Sequence, residues 1–280
     1  MRILWACAAV GALALSACDD GRLDLQLTDA PYTDASSVLV TITGVELRSV
    51  DKGWQRFEFA TPRRVDLLAL NGGKTQSLLS NESVPSGDYD AVRLLLRTAE
   101  DSTADAYVRL RTGETLPLHV ADDSDARLAI ESEFSVDDVD NTALTLDVDL
   151  RRALLKPTDA KPDVYRLVSA LRLVDNDKAG TLSGTVAAQG SGCVPAVYVY
   201  EGEVTPDDIG GSGAEPLTSA AVTTSGSGGS FTAAFLPEGR YTAALTCQAD
   251  EDDPARNDSI DFSDAVRFDV DRGQTTTIRF

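Results

Sequence analysis

The chain has 280 residues, with 45 acidic side chains against 25 basic ones and a formal charge of −20. That balance disfavours nucleic-acid binding, which needs cations to displace the counterions of phosphates, and it disfavours lying flat on anionic lipid. It suits a dispersed exported protein, and a hydrophobic share of 42% is enough for one or two packed cores.

The opening MRILWACAAVGALALSA carries one cation, Arg2, and no charge from Ile3 to Leu15. The run is too short for a bilayer core of about 30 Å, which takes roughly 20 apolar residues. It also lacks the polar positions of a buried amphipathic helix. It reads as a secretory signal peptide at residues 1–17. Leu15-Ser16-Ala17-Cys18 resembles the lipobox of bacterial lipoproteins. The resemblance implies cleavage before Cys18, a diacylglyceryl thioether on its thiol and acylation of the new amino group. Two or more chains hold a protein at a membrane where one does not. Asp19 resembles the signal for inner-membrane retention in enteric-type bacteria. The expected address is the cell envelope. There the chain is tethered to a membrane and faces the periplasm or the exterior, with Asp19 favouring the inner membrane.

Beyond the signal the pattern has period two. Leu23, Leu25 and Leu27 face one way and Asp24 and Gln26 the other. Val38, Val40 and Ile42 alternate with Leu39, Thr41 and Thr43. Trp54, Phe57 and Phe59 lie on a strand, with Phe57 and Phe59 packing inward, and VDLLAL reads as another strand before Gly72 and Gly73. Tyr107 to Val120 reads as a hairpin turning at Thr112-Gly113-Glu114, and Leu144, Leu146, Val148 and Leu150 alternate with Thr145, Asp147 and Asp149. Arg151 to Lys156 offers a turn or two of helix before Pro157. At Asp175–Gly180 the composition shifts from Leu, Arg and Asp to Gly, Ser, Thr and Ala. The expected fold is therefore all-β, with two tandem β-sandwiches at 22–177 and 179–280.

One device occurs twice. Val84-Pro85-Ser86-Gly87-Asp88-Tyr89 and Leu236-Pro237-Glu238-Gly239-Arg240-Tyr241 each precede a strand. Proline presets the turn, glycine supplies a permissive φ, and the tyrosine opens the strand with its hydroxyl within reach of loop backbone.

With these residues in view, the first domain resembles the domain-of-unknown-function family 4382. The carriers are LDLQLTDAPYTDASSVLVTITGVEL, the Pro85-to-Tyr89 turn, LTLDVDLRRALL and YRLVSALRLVD. The family implies an exported or lipid-anchored prokaryotic protein and brings no activity. The second domain is similar to the carboxypeptidase-regulatory-like and transthyretin-like sandwiches through GTLSGTVAA, PAVYVYEG, SFTAAFLPEGRYTAALTC and AVRFDVDRGQTTTIRF. That likeness implies an Ig-like or prealbumin-like accessory module.

Four cysteines are present. Cys7 leaves with the signal and Cys18 carries the anchor, so Cys193 and Cys247 remain. In an oxidising compartment this even pair is expected to be bridged, and two buried free thiols are the other reading. A bridge would tie the PAVYVY and TAALTC strands together.

Candidates for chemistry are few. His119 is the single histidine, so it alone could serve a Ser-His-Asp triad, and its place on LPLHV reads as solvent-facing. HExxH, GxSxG and CxxC are absent, and Gly72-Gly73-Lys74-Thr75 lacks the first glycine of a phosphate loop. Asp175, Asp177 and Gly180 match part of a calcium loop whose other ligands are missing, and read as an interdomain turn. Acid runs stand at Asp122–Asp125, Asp137–Asp140 and Asp250–Asp253. These readings lead to a non-catalytic, monomeric envelope protein that binds or scaffolds an unidentified protein or glycan, with no cofactor and no assigned metal ligands. The runner-up is a carbohydrate-binding or adhesion lipoprotein with calcium in its acidic loops, and an enzyme working through carboxylates alone ranks last.

Overall fold

The computed structural model describes residues 20–120 and 126–280. Cys18, Asp19 and the acid run Asp122–Asp125 lie outside them. The fold is all-β, and the strands among the described residues form four sheets.

The first two sheets face each other across one core. A four-stranded sheet runs in the order Leu171–Asp175, Asn141–Asp149, Asp20–Ala30, Gln76–Pro85. The opposing sheet is built around the long strand Ala35–Ser49, which pairs with Gly53–Asp66, Gly87–Arg97 and Tyr107–Leu110. Alternation decides what points inward: Leu23, Leu25, Leu27, Val38, Ile42, Leu146 and Val148 are all fully buried in this core. Its pairings with Gly53–Asp66 and Gly87–Arg97 both slip between Ile42 and Gly44. A β-carbon on Gly44 would stand 2.5 Å from the Phe57 carbonyl oxygen, so only glycine lets the bulged strand lie this close to its neighbour.

The other two sheets use residues 179–279. One has the order Thr223–Ser225, Gly228–Pro237, Ala179–Ala187, Thr275–Arg279, and the other Thr218–Ala221, Ala196–Glu201, Gly239–Thr246, Val266–Val270. Leu182, Val197, Val199, Phe231 and Ala243 fill the space between them. The strand Ala196–Glu201 is buried on both faces. Val197 and Val199 point into the sandwich, while Tyr198 and Tyr200 point outward into a second small core with Ile209, Ala249 and Phe262. Loops on either side of that strand therefore fold back over it. Cys193 and Cys247 are joined by a disulfide at the end of these strands.

The expected hairpin at Tyr107 to Val120 forms, with Val108 opposite Leu116. Two local readings are corrected. VDLLAL is not one strand: the strand ends at Asp66 and Leu67–Leu70 form a 3-10 turn, because Leu67 and Leu70 both seek the core and a strand would separate them. The helix at Arg151 to Lys156 is a single turn, Leu150–Ala153, after which Leu154 and Leu155 pair with Leu167 and Arg166. Sheet pairing outcompetes a helix too short to sustain itself.

The tyrosine device is the same in both places. Tyr89 donates to the Pro85 carbonyl and Tyr241 to the Pro237 carbonyl, each at 2.7 Å. Tyr89 stacks on Phe134 at 5.1 Å and Tyr241 on Phe268 at 5.7 Å.

Candidate functional site

The two pairs of sheets meet around the segment DVDLRRALL. Val148 and Leu150 are drawn into the first core, which leaves Asp147 and Asp149 on the other side of the strand. Asp149 caps the following helical turn by accepting from Arg151 N at 3.1 Å. That turn sends Arg151 and Arg152 to different partners. Arg151 is buried, and its Nη1 donates to Tyr198 Oη at 3.1 Å and to the Ala249 carbonyl at 2.8 Å. Its guanidinium carbon lies 5.3 Å from the centre of the Tyr198 ring. Arg152 reaches Asp149 Oδ2 at 3.1 Å, Glu215 Oε2 at 2.7 Å and the Pro216 carbonyl at 2.6 Å. From the neighbouring strand, Arg172 bonds Asp147 Oδ2 at 2.7 Å and the Phe235 carbonyl at 2.8 Å. Three arginines of the N-terminal unit thus hold three backbone carbonyls of the C-terminal one.

Beside this clamp lies a cleft of about 760 Å³. Leu155, Leu171 and Arg172 form its near wall, and Ile209, Leu217 and Pro254 its far wall. A smaller hollow of about 370 Å³, reached by Asp34, Lys156 and Arg166, shares Leu155, Pro254 and Ala255 with it. Burial pushes the Asp149 carboxyl up, against the pull of Arg152. Burial likewise pushes up the Tyr198 hydroxyl, which donates to Asp252 Oδ2, and the Asp252 carboxyl itself.

The residues singled out by sequence scatter. His119 lies on the face of its strand opposite the buried Leu118 and Val120, and its side chain is 27% exposed, with Nδ1 3.5 Å from Thr98 Oγ1 and Nε2 3.6 Å from Glu100 Oε1. Trp54 is partly exposed, with the Arg93 guanidinium 3.7 Å from its ring centre, while Phe57 and Phe59 pack against the core. Asp175 caps the 3-10 turn Asn176–Lys178 through Asp177 N and pairs with Lys178 at 2.8 Å. Asp137 accepts from Val139 N at 2.8 Å, and that bond, with a second from Asp140 N, holds its carboxyl below the usual range. Asp252, from the run Asp250–Asp253, meets two carboxylates that sequence reading passed over, Asp208 and Asp258. Arg151 was also passed over as a site residue. Only its place in a double-arginine run after a strand of alternating acids distinguished it.

Residues 20–167 match the family described as Domain of unknown function (DUF4382). The chain belongs to the DUF4382 family. The matched DUF4382 region supplies Arg151 and Arg152, so the clamp starts inside it. No curated protein matches the chain. Among solved structures, the chain is similar to a leucine-rich repeat protein from Bacteroides thetaiotaomicron, at 13% identity and a TM-score of 0.24, over 94% of this chain and 26% of that one. It is similar to the minor pilin GBS52 of Streptococcus agalactiae, at 12% and 0.23, over 92% and 94% of the two chains. It is also similar to the fimbrial anchor protein Mfa2 of Porphyromonas gingivalis, at 10% and 0.21, over 81% and 78%. Overlaps this loose assign no role. Among the described residues, no helix is long and apolar enough to cross a membrane.

Proposed function

We propose that the chain is a lipid-anchored, non-catalytic binding module of the cell envelope. Its parts are a signal peptide at 1–17, the DUF4382 domain at 22–177 and a transthyretin-like sandwich at 179–280. The observation that carries the binding role is the cleft of about 760 Å³ where the sheets of the two units meet. Ligand sites favour such junctions, where two rigid bodies shape a concavity that neither has alone. Its walls combine leucines with charged groups, which suits an extended polar chain with apolar parts, such as a segment of an envelope protein or glycan. Three of its four carboxylates, Asp147, Asp149 and Glu215, are bound to arginines. Acid-pair hydrolysis needs two carboxylates free to exchange protons, so this pairing favours binding over turnover. The lipobox at Cys18 supports the anchor, and Asp19 supports the inner membrane as its site.

Two measurements test this. For the cleft, the purified chain is applied to arrays of envelope peptides and glycans, beside Ala255→Trp, which places bulk where the two hollows join. Saturable binding weakened at least about tenfold by the substitution, equivalent to about 1.4 kcal/mol, is expected. Equal binding by both proteins, or hydrolysis of an arrayed glycan, overturns the reading. For the anchor, Cys18→Ser is expected to abolish palmitate incorporation and to move the protein from the membrane fraction to the soluble one.

A further inference from the structure

We propose that Asp208, Asp252 and Asp258 form a calcium site that pins together the two loops covering the outer face of the strand Ala196–Glu201. One carboxylate oxygen from each of the three lies within 4.8 Å of the others. Two ligands of one calcium ion, each about 2.4 Å from it, stand at most about 4.8 Å apart, so no two of the three are too far apart to share an ion.

The trio is not explained by its other contacts. Asp208 is 1% exposed, yet its Oδ1 is buried with no hydrogen-bond partner, and the same holds for Asp252 Oδ1. Meanwhile the second oxygen of each side chain is held by donors. Asp208 Oδ2 accepts from Asp258 N at 2.6 Å, Asp258 Oδ2 from Asp253 N at 2.7 Å, and Asp252 Oδ2 from Tyr198 Oη and from Ile209 N at 3.4 Å. The carboxylates are therefore positioned, and two of them keep buried lone pairs unspent. Nearby cations do not use these lone pairs. Arg151 directs Nη1 to Tyr198 and Ala249, and the largely exposed Arg256 stands 3.1 Å from Asp253 but 3.9 Å from Asp258. Buried carboxylate oxygens without donors are costly unless a cation meets them. Three hard anionic oxygens match calcium, with water completing its six to eight ligands. Gly211 keeps the space beside Asp208 open, since a β-carbon there would lie 2.3 Å from Oδ1.

The exposed run at Asp137–Asp140 lacks these properties, because Asp137 Oδ1 is already occupied by backbone N–H groups. The site joins the loop carrying Ile209 and Gly210 to the loop carrying Pro254 and Ala255, and these four residues line the far wall of the cleft. Calcium would stiffen that wall whatever the cleft holds, so the inference stands apart from the binding role.

The test is titration calorimetry of the full purified chain with calcium chloride after chelator treatment. One calcium per chain and a thermal midpoint raised by calcium are expected. Asp208→Asn and Asp258→Asn are expected to weaken binding at least tenfold, while Asp137→Asn leaves it unchanged. Absence of saturable binding, or binding kept in both former variants, overturns the site. The wild-type chain decides even where those variants do not fold. Terbium bound beside Tyr198 and Tyr200 should emit when tyrosine is excited and be displaced by calcium. Calcium binding without such sensitised emission places the ion elsewhere and refutes the assignment.

Discussion

Tyr89 and Tyr241 stand in unlike sequence surroundings, yet each closes a turn by donating back to a proline carbonyl four residues earlier. The hydrogen bond holds the loop to the strand that follows it, and the ring stacks on a phenylalanine of the adjacent strand. Removing only the hydroxyl isolates the first contribution. Tyr89→Phe and Tyr241→Phe should each lower stability by about 1 kcal/mol in urea unfolding, with the slope unchanged. An effect confined to one of the two would mean that the shared geometry is not a shared support. Asp137 shows the opposite fate for a polar side chain: fully exposed, it serves its own loop by accepting from two backbone N–H groups.

At the scale of elements, the strand Ala196–Glu201 departs furthest from a simple sandwich strand. Its valines serve one core and its tyrosines another, so both faces are covered. The second cover comes from irregular loops, which need fastening because they lack a ladder of backbone hydrogen bonds. The Cys193–Cys247 bridge is one fastening, spanning 54 residues of sequence. In the chain-entropy account a closed loop of that length contributes about 4 kcal/mol. Cys247→Ser should therefore lower the thermal midpoint by well over ten degrees if the C-terminal unit unfolds by itself, since about 1 kcal/mol shifts a domain of roughly 100 residues by about 4–8 °C. A reducing agent should reproduce the loss in the wild-type chain and leave the variant unaffected.

Across the whole molecule, the arginine clamp ties the two strand-built units together through three side-chain bonds to backbone carbonyls. Arg151 is buried against Tyr198, and through that hydroxyl it is linked to Asp252. Arg151→Ala strips the donor from the Ala249 carbonyl and leaves a void beside the ring. The expected loss is about 3 kcal/mol, together with the splitting of one calorimetric transition into two. Arg151→Met keeps the apolar stem and should recover part of the stability but not the coupling. A single transition in both variants would show that the remaining contacts suffice to join the units.

The alternation of Leu23, Leu25 and Leu27, the hairpin at Gly113 and the paired Pro-x-Gly-x-Tyr turns could all be read from neighbouring residues, because strand period and turn chemistry act over two to five positions. The same local reading misplaced VDLLAL and the turn at Leu150, where competition between the core and a partner strand decides. For His119 alternation set the outward direction but not its neighbours Thr98 and Glu100, which come earlier in the chain. Neighbouring residues alone therefore carried the all-β class, several of the strands, the corners and membership of the DUF4382 family. It took the packing of the sheets to bury Arg151 against Tyr198, to bring Asp208 to Asp252 and Asp258, and to open a cleft beside them. A buried arginine or aspartate is spelled the same as an exposed one. The partners that give these residues a role lie dozens of residues away along the chain, and only the packing of sheets brings them within hydrogen-bond reach.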